Sequence, residues 1–480
     1  MQHETTILRT IENEFDRIPF SDKRHSTRLK LMATEFWDSI GATIPHALKG
    51  WAETKAAYRF FSNPEVDDNL IQHGHFLNTV ERIKKDAESK LIVVQDTSML
   101  NFESHPRTSG LGSIGNVSGK RQIQGLHFHS SLVFNSQRLP LGLLEQEVWP
   151  RKLRRDKKKL YKIPVELKES GRWRRSIELA EHVQKHSGKH LVVVSDREGD
   201  LNHQMIEAFN KNVGFVIRGR NARSCFNQGE SIQVKKHLKA QGFTDQIKIE
   251  IKSRKKRYLN KTPRKSTAAL HIRETEETRE VTLSLHWKKV IMILDNEDGT
   301  KLQKEIGAIW AHEITPQGRP KYAPISWLLL TNEPLETVKD VETTLNIYRI
   351  RWEIEVYHRI LKSGCKVEDC RLSEGKRLSR YLLIMGIVAW RIQFLTNLAK
   401  TNSKMLAKEV FEEDEILALQ LKLKLKRSKT WTLKEALIRI ATLGGFMGRK
   451  SDKHPGPTSL WRGLQQLTFL AEGVRLGRAS

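Results

Sequence analysis

Residues 341–366, VETTLNIYRIRWEIEVYHRILKSGCK, constrain this chain more than any other stretch. The run has no proline, and its one glycine is Gly364 near the end. It therefore predicts a single helix of about seven turns. At about 100° per residue, Tyr348, Arg351, Glu355 and Lys362 fall within an arc of roughly 60°, along a ridge about 21 Å long. Ile347, Ile350, Ile354, Ile360 and Leu361 occupy the other sides. A helix that is apolar nearly all round is buried, so a polar ridge on it must face something polar. A phenol, two cations and a carboxylate in file suit a metal beside a phosphate chain. On an arbitrary helix the same residues would more often form a solvated face with an Arg–Glu pair worth a few tenths of a kcal/mol.

The surroundings favour the functional reading. A chain of 480 residues can bury a large core and divides into two to four domains. Its formal charge of +27 attracts polyanions, nucleic acid first and an anionic membrane surface second. No apolar run approaches 18–20 residues, and MQHETTILRTIENEFDRI is too polar for a signal peptide. Membrane spanning and secretion are not expected, and the expected location is cytoplasmic. Three cysteines, Cys225, Cys365 and Cys370, suit a reduced compartment. Cys365 and Cys370 have no second pair or histidine cluster to complete a zinc site.

Taken in order, residues 1–70 predict three short helices, near Thr5–Phe15, after Ser21-Asp22, and around Glu53–Phe61. Ser21 or Asp22 can cap the second, whose start carries Lys23, Arg24, Arg28 and Lys30. A basic, capped helix in a small helical domain is a plausible DNA reader, though a solvated basic face fits these residues equally well. Asn63-Pro64 closes that domain. Leu91 to Val94 form an apolar, β-branched run expected of a strand covered on both faces. Asp96 is expected directly after it, where an α/β sheet opens its crevice. Residues 126–134 and 138–149 predict a strand pair joined across Asn135–Gln137.

Residues 151–162 are a charge run that adds to a basic surface. A helix over Gly171–Lys185 then leads to KHLVVVSDREGD, which repeats the first strand pattern and places Asp196 two residues past Val194. Leu201–Asn210 predicts a helix and 213–219 a strand. From about 220 to 322 the alternation has period two, as in half-buried antiparallel strands, interrupted by the basic loop 252–266. ISWLLLTNEP (325–334) restores the α/β texture, and after about 395 the chain predicts charged helices.

Asp96, Asp196 and Glu355 are the candidates for one site. Two carboxylates at strand ends and one on a buried helix offer three hard oxygen donors, suited to Mg²⁺ or Mn²⁺. Two such ions can activate water and stabilise the leaving 3′-oxygen of a phosphodiester. Any one Asp after a strand is weak evidence, because Asp often only caps a turn. Two VVxD strands and the polar ridge in a strongly basic chain are stronger together.

IYRIRWEIEVYHRILK also carries the Tyr-x2-Arg-x3-Glu-x6-Lys signature, with its spacing intact. In this it resembles the bacterial cut-and-paste DDE transposases of the insertion-sequence-four family. AAYRFFSNP, VVQDTSML, SDREGD, SWLLLTNEP, RIATLGGFM and SLWRGLQ extend the likeness over nearly the whole chain. The resemblance implies an α/β fold: an RNase H-like catalytic core over about 71–395, split by a β-rich insertion at about 220–322. An N-terminal helical DNA-binding domain (1–70) and a C-terminal helical dimerisation domain (396–480) would flank it. It further implies that Asp96, Asp196 and Glu355 bind two Mg²⁺ or Mn²⁺ ions. Tyr348, Arg351 and Lys362 would grip phosphates at the transposon end, and Trp327 would stack a flipped-out thymine. Arg218, Arg24, Arg28 and Tyr58–Arg59 match further DNA-contacting positions. Glu353 stands where the family carries a basic residue, and points about 200° from Glu355 on the wheel. The implied partners are transposon-end and target DNA, with a second copy of the chain in a synaptic complex. Two other readings remain: an RNase H-like nuclease or resolvase that never joins strands, and a non-catalytic protein that only occupies transposon ends.

Overall fold

The computed structural model describes residues 11–479 except 118–120, 152–163, 166–167, 252–253, 256–274, 277–278, 315–323, 403, 426–429, 450–451 and 453. All but Arg151 of the charge run at 151–162, most of the basic loop 252–266 and all of the segment before Ile11 therefore lie outside the described residues. In chain order the main elements begin with helices α1 (Lys23–Asp38), α2 (Trp51–Ser62) and α3 (His73–Lys85). Strands β1 (Lys90–Asn101), β2 (Gly112–Val117), β3 (Arg121–Phe134) and β4 (Pro140–Trp149) follow. Next come α4 (Gly171–Ser187), β5 (His190–Ser195), α5 (Asn202–Asn210) and β6 (Gly214–Arg218). The period-two region forms β7 (Ser224–Asn227), β8 (Glu230–Gln233), α6 (Val234–Gln241), β9 (Phe243–Ile251), β10 (Arg279–Asp295) and β11 (Lys301–Glu313). After β12 (Ser326–Thr331) the chain is helical: α7 (Val338–Ile350), α8 (Trp352–Arg359), α9 (Gly375–Thr401), α10 (Glu413–Lys422), α11 (Leu433–Leu443) and α12 (Pro457–Ala479).

The chain forms two compact units. The first comprises residues 1–168, 179–191 and 350–480, and the second 169–178 and 192–349. In the first, β3 is the spine of an antiparallel sheet. It pairs with β1 over residues 125–134, with β2 over 121–125, and with β4 over 127–134. The core of this unit is α9, whose residues from Tyr381 to Ala399 are all buried. The sequence reading found no apolar run near 18–20 residues, yet α9 is long and apolar enough to cross a membrane. Its apolar window is entirely buried within the unit, as for a core helix. Polar residues such as Arg391, Gln393 and Asn397 dilute the run in sequence, and packing supplies their partners: Gln393 Nε2 donates to the Glu353 carbonyl at 2.8 Å and Asn397 Nδ2 to that of Arg138 at 2.9 Å.

Arg380 ties the N-terminal helices to α9. It is 1% exposed and donates to the carbonyls of Phe61, Asn63 and Val66 and to Asp68 Oδ1 at 2.7 Å. A buried guanidinium is tolerable only when its donors are satisfied in this way. The segment that leaves α2 at Asn63-Pro64 is thereby clamped. Asp22 caps α1, its carboxylate accepting the Arg24 backbone N–H at 2.8 Å.

In the second unit β5 and β6 run parallel, joined through α5. β6 pairs antiparallel with β12, β12 with β11 and β11 with β10. β9 and the β7–β8 hairpin complete the far edge on β10. The expected β insertion is thus hydrogen-bonded into the same sheet as the parallel pair, through β12.

Two expectations need correction. β1 continues past Val94 to Asn101, because β3 stays in antiparallel register as far as Asn101↔Gly125. Asp96 therefore lies within the strand, opposite Ser130, and not beyond its end. The helix expected over 341–366 is also not continuous. It is divided at Arg351 into α7 and α8, and residues Ile360–Gly364 form a π turn closed by the Cys365 N–H on the Ile360 carbonyl at 2.9 Å. Such single π turns recur at functional sites.

Candidate active site

In the first unit, β1 and α8 bring Asp96, Arg351 and Glu355 together. Arg351 Nη1 lies 3.6 Å from Asp96 Oδ2, and its Nη2 donates to Glu355 Oε1 at 2.5 Å. The guanidinium thus sits between two carboxylates, with its side chain only 15% exposed. Asp96 Oδ1 also accepts the Thr97 N–H at 2.8 Å. Lys362, on the π turn, donates to the Met99 carbonyl at 2.6 Å. Burial pulls its ammonium below the usual lysine range, with Glu368 opposing.

Beneath these groups lies a polar layer that the sequence reading missed. Thr97 Oγ1 meets His129 Nδ1 at 2.9 Å, and Ser130 Oγ meets His358 Nε2 at 3.3 Å. Burial, with Lys362, His129 and Arg351 nearby, holds the His358 imidazole down at about 3, so it is neutral. The available signals were weak: two histidines alternating in LHFHSS, and one three residues after Glu355. Glu353 points elsewhere, as its wheel position predicts, and pairs with Arg138 at 3.1 Å.

In the second unit, Asp196 directly follows β5, as expected, and its Oδ1 accepts the Glu198 N–H at 2.7 Å. Trp327 on β12 is half-buried and meets Tyr348 of α7 edge to face, with ring centroids 5.5 Å apart. Tyr348 is only 4% exposed, so within this unit it supports Trp327 more than it faces solvent. Arg218 ends β6 and donates to the Ser326 carbonyl at 3.4 Å. Ser326 Oγ accepts from Lys235 Nζ at 3.3 Å and Trp310 Nε1 at 3.2 Å. Lys235 also lies 5.7 Å from the centre of the Trp310 ring. Burial lowers the Lys235 ammonium, and Arg197 and Arg218 lower it further, which marks a concentration of positive charge beside β12. Lys235 and Trp310 were not singled out from the sequence, because neither belongs to a motif.

The N-terminal arginines behave differently from one another. Arg24 is exposed but engaged with Asp22 at 2.7 Å, Arg28 is ion-paired with Glu53, and Arg59 is exposed. Among the described residues no three His, Cys, Asp or Glu side chains form a ready-made metal cluster. The structure brings Asp96 and Glu355 together around Arg351, and it places Asp196 in the other unit. Asp96 and Glu355 fit a divalent cation by the chemistry of their donors: hard carboxylate oxygens already gathered about one positive charge.

Comparison with known families places these groups in context. Residues 174–391 match the family described as the transposase DDE domain. Residues 9–66 match transposase DNA-binding, and 387–480 match the transposase Tn5 dimerisation domain. The chain belongs to the Tn5-type DDE transposases. It is accordingly a polynucleotidyl transferase that acts on DNA, with a DNA-binding region at its start and a dimerisation region at its end. DDE transposase domains generally use divalent metal ions. The DDE match spans Asp196, Arg218, Trp327, Tyr348, Arg351, Glu355 and Lys362, while the DNA-binding match spans Arg24, Arg28 and Arg59.

Proposed function

We propose that this transposase moves its element by cut and paste, with Asp96, Asp196 and Glu355 as the metal-binding carboxylates. Two Mg²⁺ or Mn²⁺ ions held there would supply an activated water and charge stabilisation at the leaving 3′-oxygen. Water first opens the phosphodiester at the transposon end and frees a 3′-hydroxyl. That hydroxyl attacks the opposite strand and forms a hairpin, a second water opens the hairpin, and the 3′-ends join target DNA. All are in-line phosphoryl transfers, so one site serves each in turn.

Arg351, Lys362 and Tyr348 hold backbone phosphates in this reading, and Arg218 contributes a further cation. Trp327 receives a base extruded next to the end, where an aromatic face is worth about 1–3 kcal/mol per stacked base. Arg24, Arg28 and Arg59 contact the terminal sequence, and two copies of the chain pair the two ends in a synaptic complex. The work is done in the bacterial cytoplasm, on the nucleoid. The observation that carries the proposal is the pairing of Asp96 and Glu355 around Arg351, in a chain matched to the DDE domain over 174–391.

The test is incubation with end-labelled DNA carrying the element's own termini and Mg²⁺. Hairpins and strand-joined products are expected. Nicks alone would support the nuclease reading, and binding without cleavage the regulator.

A further inference from the structure

We propose that Arg351 is the resident counter-ion of the metal-free site, occupying the charge position of a divalent cation and holding metal affinity low until DNA draws it away. The inference rests on the carboxylate assignment above and extends it to regulation of the same site. Its basis is geometric. A guanidinium with one nitrogen 2.5 Å from Glu355 and another 3.6 Å from Asp96 sets one positive charge against both carboxylates and offsets half of their combined negative charge. An ordinary i,i+4 helix pair needs only the first contact, whereas the second reaches from the residue that caps α8 to a different element, β1. The side chain is 15% exposed and Asp96 is 19% exposed, so water screens the arrangement only in part.

A divalent ion entering between these oxygens meets a cation already in place. The two therefore compete, and the affinity of the site for metal falls by the coupling between them. A DNA phosphodiester changes the balance. Guanidinium binds phosphate in the same two-pronged way as carboxylate, so a backbone phosphate near α8 competes for Arg351. Transfer of the guanidinium to phosphate takes its positive charge away from the two carboxylates, and metal loading follows. Linkage makes the effect reciprocal: metal strengthens DNA binding by the same factor. The transposase would then hold metal firmly only with DNA present, which limits stray hydrolysis.

The test is a Mn²⁺ titration of the full chain without DNA, following free Mn²⁺ by electron paramagnetic resonance. Arg351→Gln keeps hydrogen-bonding capacity and removes the charge, and should bind Mn²⁺ roughly tenfold more tightly than the parent chain. Arg351→Lys keeps the charge and should remain near the parent affinity. Arg351→Gln/Glu355→Gln should lose the gain. Circular dichroism confirms that each variant is folded. If Arg351→Gln binds no more tightly than the parent, or Arg351→Lys binds as tightly as Arg351→Gln, the counter-ion proposal is overturned. The underlying assignment fails separately: if Asp96→Asn binds Mn²⁺ as strongly as the parent chain and the double variant as strongly as Arg351→Gln, the carboxylates are not ligands at all. With a short duplex from the DNA bordering the coding region, Mn²⁺ affinity should rise in the parent chain and not in Arg351→Gln. An equal rise in both would also contradict the proposal.

Discussion

Trp327 is half-buried, with one edge held by Tyr348 and the strand end beside it crowded by Lys235, Arg218 and Trp310. In the proposed reading the ring would take a base on its open face, while the cations would hold the adjoining phosphates. In the proposed reaction nicking precedes base extrusion, and it should need the ring less than hairpin formation does. Trp327→Ala should therefore nick at near-parent rate but accumulate nicked DNA, and Trp327→Phe should recover part of the hairpin step. A time course on end-labelled DNA measures this, and an equal slowing of both steps would reduce Trp327 to a packing residue. At this scale the sequence named candidate side chains and said little about their partners. Trp327 and Glu355 stand out by motif. Arg351 reaching across to Asp96, Arg28 held by Glu53, and the buried His129 and His358 depend on tertiary packing, which periodicity does not encode.

Helix α9 shows how an element is fixed by close approach. A Cβ on Gly386 would lie 1.6 Å from Gln146 Oε1 and 2.8 Å from the Tyr357 hydroxyl. Those two groups are hydrogen-bonded to each other at 3.1 Å, and Gln146 Nε2 also donates to the Leu383 carbonyl. Alanine gains about 1 kcal/mol in helix propensity, but overpacking here costs about 1–3 kcal/mol and breaks the Tyr357–Gln146–Leu383 link. Gly386→Ala should therefore lower the thermal midpoint. Gly473 on α12 meets nothing within 4 Å, so Gly473→Ala should raise it slightly. Calorimetry of both variants checks the contrast. Most elements were legible in the sequence, including α1 with its Asp22 cap, the β3–β4 hairpin and the β5–Asp196 junction. Their limits were not, for reasons the structure makes plain. β1 overruns its apolar core because β3 continues to pair with it. The helix through Arg351 is divided, and it ends in a π turn, with no proline or interior glycine to signal either change.

At the scale of the whole molecule, one buried and two half-buried carboxylates set opposing pH dependences. Burial pushes the Glu14 carboxyl up, but Arg82 and His75 more than offset it by charge and hydrogen bonding and hold it at about 2. His75 Nδ1 faces Glu14 at 2.5 Å while its Nε2 accepts the Leu143 N–H, so the ring is held as one tautomer. A lowered folded pKa gives stability above the ordinary carboxylate range that is lost as pH falls from about 4.5 towards 2. Burial instead raises Asp38 to about 6 and Glu415 to about 7. Raised folded values give stability below the ordinary range that is lost as pH rises through about 6 to 7. Thermal midpoints should therefore peak near pH 5, with Glu14→Gln flattening the acid side and Glu415→Gln the alkaline side. The general architecture and the family were open to sequence reading because the Tyr-Arg-Glu-Lys spacing and two VVxD strands occur in one strongly basic chain. The central claim is that Asp96, Asp196 and Glu355 act as metal ligands in one transposase site. Its most direct test is cleavage of end-labelled transposon-end DNA by Asp96→Cys, Asp196→Cys and Glu355→Cys in Mg²⁺ and in Mn²⁺. Thiolate is a poor ligand for Mg²⁺ and a better one for Mn²⁺, so each variant should be inactive in Mg²⁺ and partly active in Mn²⁺; near-parent cleavage in Mg²⁺ by any of the three would contradict its place in the site.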